Sequence, residues 1–370
     1  MSALPIEQFA ALDDAECEAR IRAAKQALGE NLIILGHHYQ REEVYRHADV
    51  TGDSLKLSRH AAQSNAKYIV FCGVHFMAEA ADVLSRPEQV SILPDLSAGC
   101  SMADMANLAN VERAWRELAV VLDPEQHITP VTYINSAADL KGFCGRHGGI
   151  VCTSTNARNI LEWSLARRGK VLFFPDQHLG RNTGYRMGIP LEQMVVWDFT
   201  QPLGGLTPEQ VRDAKLILWK GFCSVHQRFK PEYIDQFLAK HPDGQVISHP
   251  EAPFEVCQKS HYVGSTEFII KTVNESAPGT RWLVGTELNL VKRLHESNKQ
   301  YGKSVHFMAP TICMCSTMFR IDPQQLLWTL ENLVEGKVVN QIKVPEAVAE
   351  QARVALHRMF DASPQVSLKD

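Results

Sequence analysis

The chain has 370 residues, of which 45% are hydrophobic and 22% charged, with a formal net charge of −4. That balance suits a soluble enzyme of two or three domains, or one large α/β assembly. The mild acidity excludes the basic face that holds nucleic acid, and no apolar run approaches the roughly 20 residues that cross a bilayer.

The N-terminal stretch "MSALPIEQFAALDDAECEARIRAAKQALG" is acidic and amphipathic and lacks the basic start and apolar core of a secretory signal. A cytoplasmic chain with reduced cysteines is expected. Next come "NLIILGHHY", "KYIVFCGVH" and "VSILPDL", then "ITPVTYIN", "GGIVCTSTN" and "KVLFFPDQH", then "AKLILWKGFCSVH", "QVISHPE", "RWLVGTE" and "SVHFMAP". Helical stretches such as "NARNILEWSLARRG" and "PEYIDQFLAKHP" lie between them. Strands that are apolar at every position, alternating with helices, imply parallel sheets covered on both faces. The expected fold is α/β, in three similar units: residues 1–110 with N-terminal helices, 111–200 and 201–312. Residues 313–370 then hold a cysteine loop and helices that pack back on the first unit. Asp322 and Pro323 open the helix "QQLLWTLENLVE", which Gly336 ends.

Ligands of parallel α/β sheets bind beyond the carboxyl ends of the strands. Those ends are densely polar here: His37, His38 and Tyr39; Asp53 and Ser54; Tyr133 and Asn135; Ser154 and Thr155; Asp176 and His178; Cys223 and His226; His249 and Glu251; and Glu287. Any one of these is an ordinary cap or surface group, but nearly every tip is decorated. Several tips precede helices, whose N–H groups and hydroxyls hold carboxylates and phosphates; "YVGSTEF", with Gly264, Ser265 and Thr266, is one. A small, multiply anionic substrate is expected, helped by Lys56, Lys220 or Arg181.

Nine scattered cysteines form no disulfide framework. Cys72 and Cys152 lie in apolar strands and Cys17 and Cys257 in helical patterns, all read as core thiols, while Cys144 falls in a glycine-rich loop, "GFCGRHGG". Cys100, Cys223 and the pair Cys313 and Cys315 each follow a strand end. Thiolates converging from three units would make a three-cysteine metal site. No compact zinc or ferredoxin spacing is present; zinc or an iron–sulfur cluster would suit such ligands.

In chain order, "ILGHHYQ", "GDSLKLSR", "FCGVHFMAEAADVL", "LPDLSAGCSMAD", "TYINSAADLKG", "CTSTNA", "FFPDQHLGRNTG", "WKGFCSVHQRF", "SHPEAPFEVCQKS", "GSTEFI", "GTE" and "CSTM" resemble the quinolinate synthase A family over residues 30–320. The resemblance implies three homologous α/β/α units around a pseudo-threefold axis with the active site at their junction. It implies an oxygen-sensitive 4Fe–4S cluster on Cys100, Cys223 and Cys315, with one iron open as a Lewis acid. The implied reaction condenses iminoaspartate with dihydroxyacetone phosphate to quinolinate, phosphate and water, in de novo NAD biosynthesis. L-aspartate oxidase is the implied upstream link; no nucleic acid or membrane is a partner. The substrate-binding residues would be His37, Ser54, Tyr133, Ile134, Asn135, Ser154, His249, Pro250, Glu251 and Thr266. Glu251 and His249 are the acid/base candidates, with Tyr133 and Tyr39 as donors. Some branches carry CxxCxxC where this chain has only CxC; Cys315 is taken as the ligand and Cys313 as a packed bystander. Rival readings are another iron–sulfur hydro-lyase, a non-catalytic redox sensor, and a zinc enzyme.

Overall fold

A computed structural model of the chain describes residues 3–311 and 314–363. Three sheets are built from short runs of Val, Ile, Leu and Phe, many of them buried at every position. The first holds β1 (Leu32–His37), β2 (Val50–Gly52), β3 (Tyr68–Cys72) and β4 (Val90–Ile92). The second holds β5 (Ile128–Tyr133), β6 (Ile150–Cys152), β7 (Lys170–Phe174), β8 (Met194–Trp197) and β9 (Leu216–Trp219). The third holds β10 (Gln245–Ser248), β11 (Tyr262–Val263), β12 (Arg281–Gly285) and β13 (Ser304–Phe307). A last strand, β14 (Gln341–Ile342), runs antiparallel along the edge of β4, Gln341 opposite Ile92; every other pairing is parallel.

Strand order exposes a repeat. The sheets run β4-β3-β1-β2, β9-β7-β5-β6 and β13-β12-β10-β11, with β14 added beyond β4 and β8 beyond β9. With β14 and β8 set aside and the four remaining strands of each sheet counted in chain order, one arrangement, fourth-third-first-second, occurs three times, as expected of repeated α/β/α units. Its bounds differ from the sequence grouping in one place. The run Leu216–Trp219 joins the second sheet, with Ile217 opposite Leu172 of β7 and Val195 of β8. An apolar run shows that a strand exists, not which sheet edge receives it. Here the short strand β8 is laid down first and β9 then enters between β7 and β8.

The chain divides into two compact units, Met1–Cys100 with Met314–Pro345, and Ser101–Cys313 with Glu346–Asp370. In the first unit the helix Asp14–Leu28 packs on the helix Pro323–Val334, and Arg20 grips Glu331 through two bonds of 2.8 and 2.7 Å. Asp322 caps the second of these helices by accepting Gln325 N–H, with Pro323 in the first turn, as the sequence indicates. The next helix departs from expectation. Glu346–Asp361 packs against the helix Ala138–Arg146 and β6 in the second unit, instead of returning to the first.

Glycine is the reason. Only the end of "GFCGRHGG" is a turn: Gly142, Cys144 and Gly145 lie within the helix Ala138–Arg146. A Cβ on Gly142 would sit 3.4 Å from the Val348 carbonyl oxygen, and one on Gly145 only 2.0 Å from that of Gln351. Residues three apart share a helix face, and two without side chains let the backbones touch. No described helix is long and apolar enough to cross a membrane.

Gly145→Ala forces the two helices apart. It should lower stability by about 1–3 kcal/mol, read as a lower Tm and an earlier denaturant midpoint; an unchanged Tm would show that the contact is not close.

Candidate functional site

The repeated topology presents equivalent residues at equivalent places. The first strand of each set ends in a polar triplet: His37-His38-Tyr39 after β1, Tyr133-Ile134-Asn135 after β5, His249-Pro250-Glu251 after β10. The second strand of each leads toward a helix past a hydroxyl: Ser54 and Thr266 open their helices, and Ser154 lies in the turn before Ala157–Arg168. The fourth strand of each, β4, β9 and β13, is followed by Cys100, Cys223 and Cys315.

In the first unit His37 is buried and its Nδ1 accepts the Tyr39 backbone N–H at 3.2 Å. That leaves Nε2 as the position of the ring proton in the neutral imidazole. The Tyr39 ring meets His37 edge-on at 4.7 Å. Asp53 caps the helix Ser54–Gln63 by accepting Lys56 N–H at 2.9 Å, so Ser54 stands at its first position. The two cysteine loops of this unit are tied together: Arg320 donates to Ser97 Oγ at 3.1 Å. Cys315 O accepts Phe319 N–H at 3.0 Å, and Arg41 lies 3.5 Å above the Phe319 ring.

In the second unit the tips of two sheets meet. Tyr133 Oη donates to Glu251 Oε1 at 2.5 Å. His226 Nδ1 stands 2.9 Å from Glu251 Oε2, its Nε2 3.4 Å from Thr286 Oγ1, and its ring stacks on His249 at 4.8 Å. His249 Nδ1 accepts the Glu251 backbone N–H at 3.3 Å, repeating the bond between His37 and Tyr39. Asn135 Oδ1 is buried with no partner among the described residues. Ligand atoms of Cys223, His226 and Glu251 lie within 4.8 Å of one another. The Cys223 loop rests on Met105, which accepts Trp219 Nε1–H on its carbonyl at 2.8 Å.

The electrostatics follow from burial. Desolvation holds the His249 imidazole down at about 3, outweighing the Glu251 charge. Desolvation alone would raise Glu251, but His249, His226 and the Tyr133 hydroxyl reverse it and hold the carboxyl below its ordinary range. With His249 neutral, Tyr133 and His226 are the lasting contributors. Asp176 is driven the other way, well above the usual carboxylate range, by burial and then by the Glu251 charge. It caps the next helix by accepting the His178 and Leu179 N–H groups. Of the cations the sequence offered, Lys220 is engaged by Asp198 at 2.7 Å and Arg181 donates to Gln177 at 3.2 Å.

Exposure sorts the cysteines. Cys17, Cys72, Cys144, Cys152 and Cys257 are buried. Burial pushes Cys17 to about 11 and Cys72 and Cys257 to about 12, and it drives Cys144 and Cys152 well above the ordinary thiol range. Thiols so shifted are poor ligands, because the thiolate is what binds metal. Cys100, Cys223 and Cys315 alone among the described cysteines are half-exposed, and soft donors of that kind fit an iron–sulfur group. Cys313 lies outside the described residues. His226, read from sequence only as a strand-tip residue beside Cys223, is the cluster member that the expected site residues leave out.

Polar strand tips, a buried Tyr–His–Glu cluster between two of the sheets and half-exposed thiols suit an α/β metalloenzyme. Residues 19–361 match the family model described as NadA: Quinolinate synthetase A protein. The chain is similar to proteins named quinolinate synthase from Acidobacterium capsulatum (54% identical, 97% of this chain and 96% of the relative), Herpetosiphon aurantiacus (53%, 96% and 95%) and Nocardioides sp. (55%, 95% and 90%). The chain belongs to the quinolinate synthetase A family, a family of iron–sulfur enzymes of NAD biosynthesis.

The two buried groups give a pH signature. Between about 3 and the ordinary 6.5, the unfolded chain takes a proton that folded His249 refuses, so stability falls as pH drops through that window. Glu251, held below its ordinary 4.5, adds a loss in the same direction as pH falls below that value. Denaturant melts should weaken from pH 6.5 downward, and less steeply in His249→Gln; equal slopes would contradict the burial account.

Proposed function

We propose that this chain condenses iminoaspartate with dihydroxyacetone phosphate to quinolinate, releasing phosphate and water, on a 4Fe–4S cluster held by Cys100, Cys223 and Cys315. The observation that carries the ligand set is their recurrence after the fourth strand of each set, together with their exposure. When bound, such a cluster supplies an iron open to a substrate oxygen, which it polarises as a Lewis acid.

The protein's own groups divide the remaining work. Ser54 and Thr266 open their helices, and Ser154 precedes Ala157–Arg168, so three sets of N–H groups and hydroxyls receive carboxylates and phosphate. Neutral His249, whose Nδ1 is occupied, presents Nε2–H as a donor without a buried charge. His37 has its Nδ1 occupied in the same way and faces the substrate with its other ring nitrogen, with Tyr39 beside it. Asn135 uses its orphaned oxygen on the substrate, and the backbone at Ile134 and Pro250 closes around it. Glu251 is the proton acceptor. An anionic substrate beside it raises its pKa by repulsion and desolvation; Tyr133 gives its own proton to a departing oxygen and recovers one from protonated Glu251 through the contact with Oε1. The reaction is cytoplasmic. The imine hydrolyses in water, so an L-aspartate oxidase supplies it.

Anaerobically purified protein given the two substrates should form quinolinate, with iron and sulfide present in equal amounts. Glu251→Gln should lower kcat by about 10²–10⁴-fold with the cluster intact. Cys315→Ser should abolish the cluster and Cys313→Ser keep it. Full turnover in Glu251→Gln would remove Glu251 as the base, and an active, colourless zinc protein would overturn the cluster.

A further inference from the structure

We infer that Asn182 is a positioning residue that sets the place of Glu251, acting from a helix of a different sheet. The inference rests on the proton-transfer role of Glu251 proposed above. The helix Gln177–Arg186 follows β7 of the second sheet, yet its side chains reach the loops of the third. Asn182 Nδ2 donates to Pro250 O at 2.8 Å and to Ala252 O at 2.9 Å. These are the carbonyls of the residues on either side of Glu251. Both partners are acceptors, so only the NH₂ end of the amide fits, and its orientation is settled by the contacts.

Asn182 is 1% exposed, and its Oδ1 has no partner among the described residues. A buried amide with an orphaned acceptor costs stability, so an apolar side chain would serve this helix better. What the amide provides is two bonds to the backbone of the tip. The tip's own bonds, Ala252 N–H to His249 O at 3.0 Å and Glu251 N–H to His249 Nδ1 at 3.3 Å, turn the chain but leave the Pro250 carbonyl free to swing. Asn182 clamps both peptide planes, and with them the direction in which Glu251 leaves the backbone toward Tyr133 and His226.

One turn later Arg186 donates to Val263 O at 2.6 Å, at the end of β11 and just ahead of Gly264, Ser265 and Thr266. Residues four apart share a helix face. A single face of this helix thus holds the loop that carries Glu251 and the loop that carries Thr266.

A double-mutant cycle on kcat tests the inference. Asn182→Ala should lower kcat for quinolinate formation by about 10²-fold, the cost of a misplacement near 1 Å. KM should move by less than about threefold, and iron and sulfide content should not change. In a Glu251→Gln background the same substitution should cost less than about threefold, because the residue it positions no longer functions. If Asn182→Ala does not fold, Asn182→His, which retains one N–H, carries the same cycle with a smaller loss. Equal losses in both backgrounds, or an unchanged kcat in Asn182→Ala, would overturn the inference while leaving the Glu251 role standing. Full turnover in Glu251→Gln alone would overturn both.

Discussion

Parallel pairing is the constraint on which everything else rests. A strand can lie parallel to its neighbour only after a crossover, so all carboxyl ends of a parallel sheet fall along one edge. The three sheets share one strand order. Each therefore delivers, at that edge, a polar triplet from its first strand, a hydroxyl at or before a helix start from its second, and a cysteine from its fourth. Residues far apart in sequence acquire equivalent places because the backbone pattern repeats, although the local sequences do not.

The second constraint is the cost of burying Glu251. A carboxylate without compensation would take up a proton and lose its use as a base. Tyr133 and His226 each address one of its oxygens, while desolvation keeps the adjacent His249 neutral. The cluster thus holds an anion, a neutral His249 and a hydroxyl in one dry place. Asp176, raised by burial and then by the same Glu251 charge, is kept as a cap rather than a second anion of the site.

Strands were legible where apolar runs were long and continuous, as in β3 and β5. The four-residue β8 was not, because its flanks are polar, and without it the sheet that receives β9 could not be told. The glycines of "GFCGRHGG" read as a loop because glycine marks both turns and close helix contacts; only the partner helix near Gln351 decides. Cys72 and Cys152 declared themselves as core by their neighbours, whereas Cys144 shared their burial with no apolar run to announce it. Tyr133, His249 and Glu251 were visible as tip residues, but their joining, and the parts of His226 and Asn182, depend on contacts between sheets that no local pattern encodes.

The central claim is that three topologically equivalent, half-exposed cysteines, and no others among the described eight, hold the cluster. Alkylation of the native protein read by mass spectrometry tests it most directly, before and after anaerobic removal of iron. Cys100, Cys223 and Cys315 should be protected in the iron-loaded protein and become labelled once iron is removed, while the five buried cysteines stay unlabelled throughout. Labelling of any of the three in the fully loaded protein, or of a buried cysteine only after iron removal, would contradict the account.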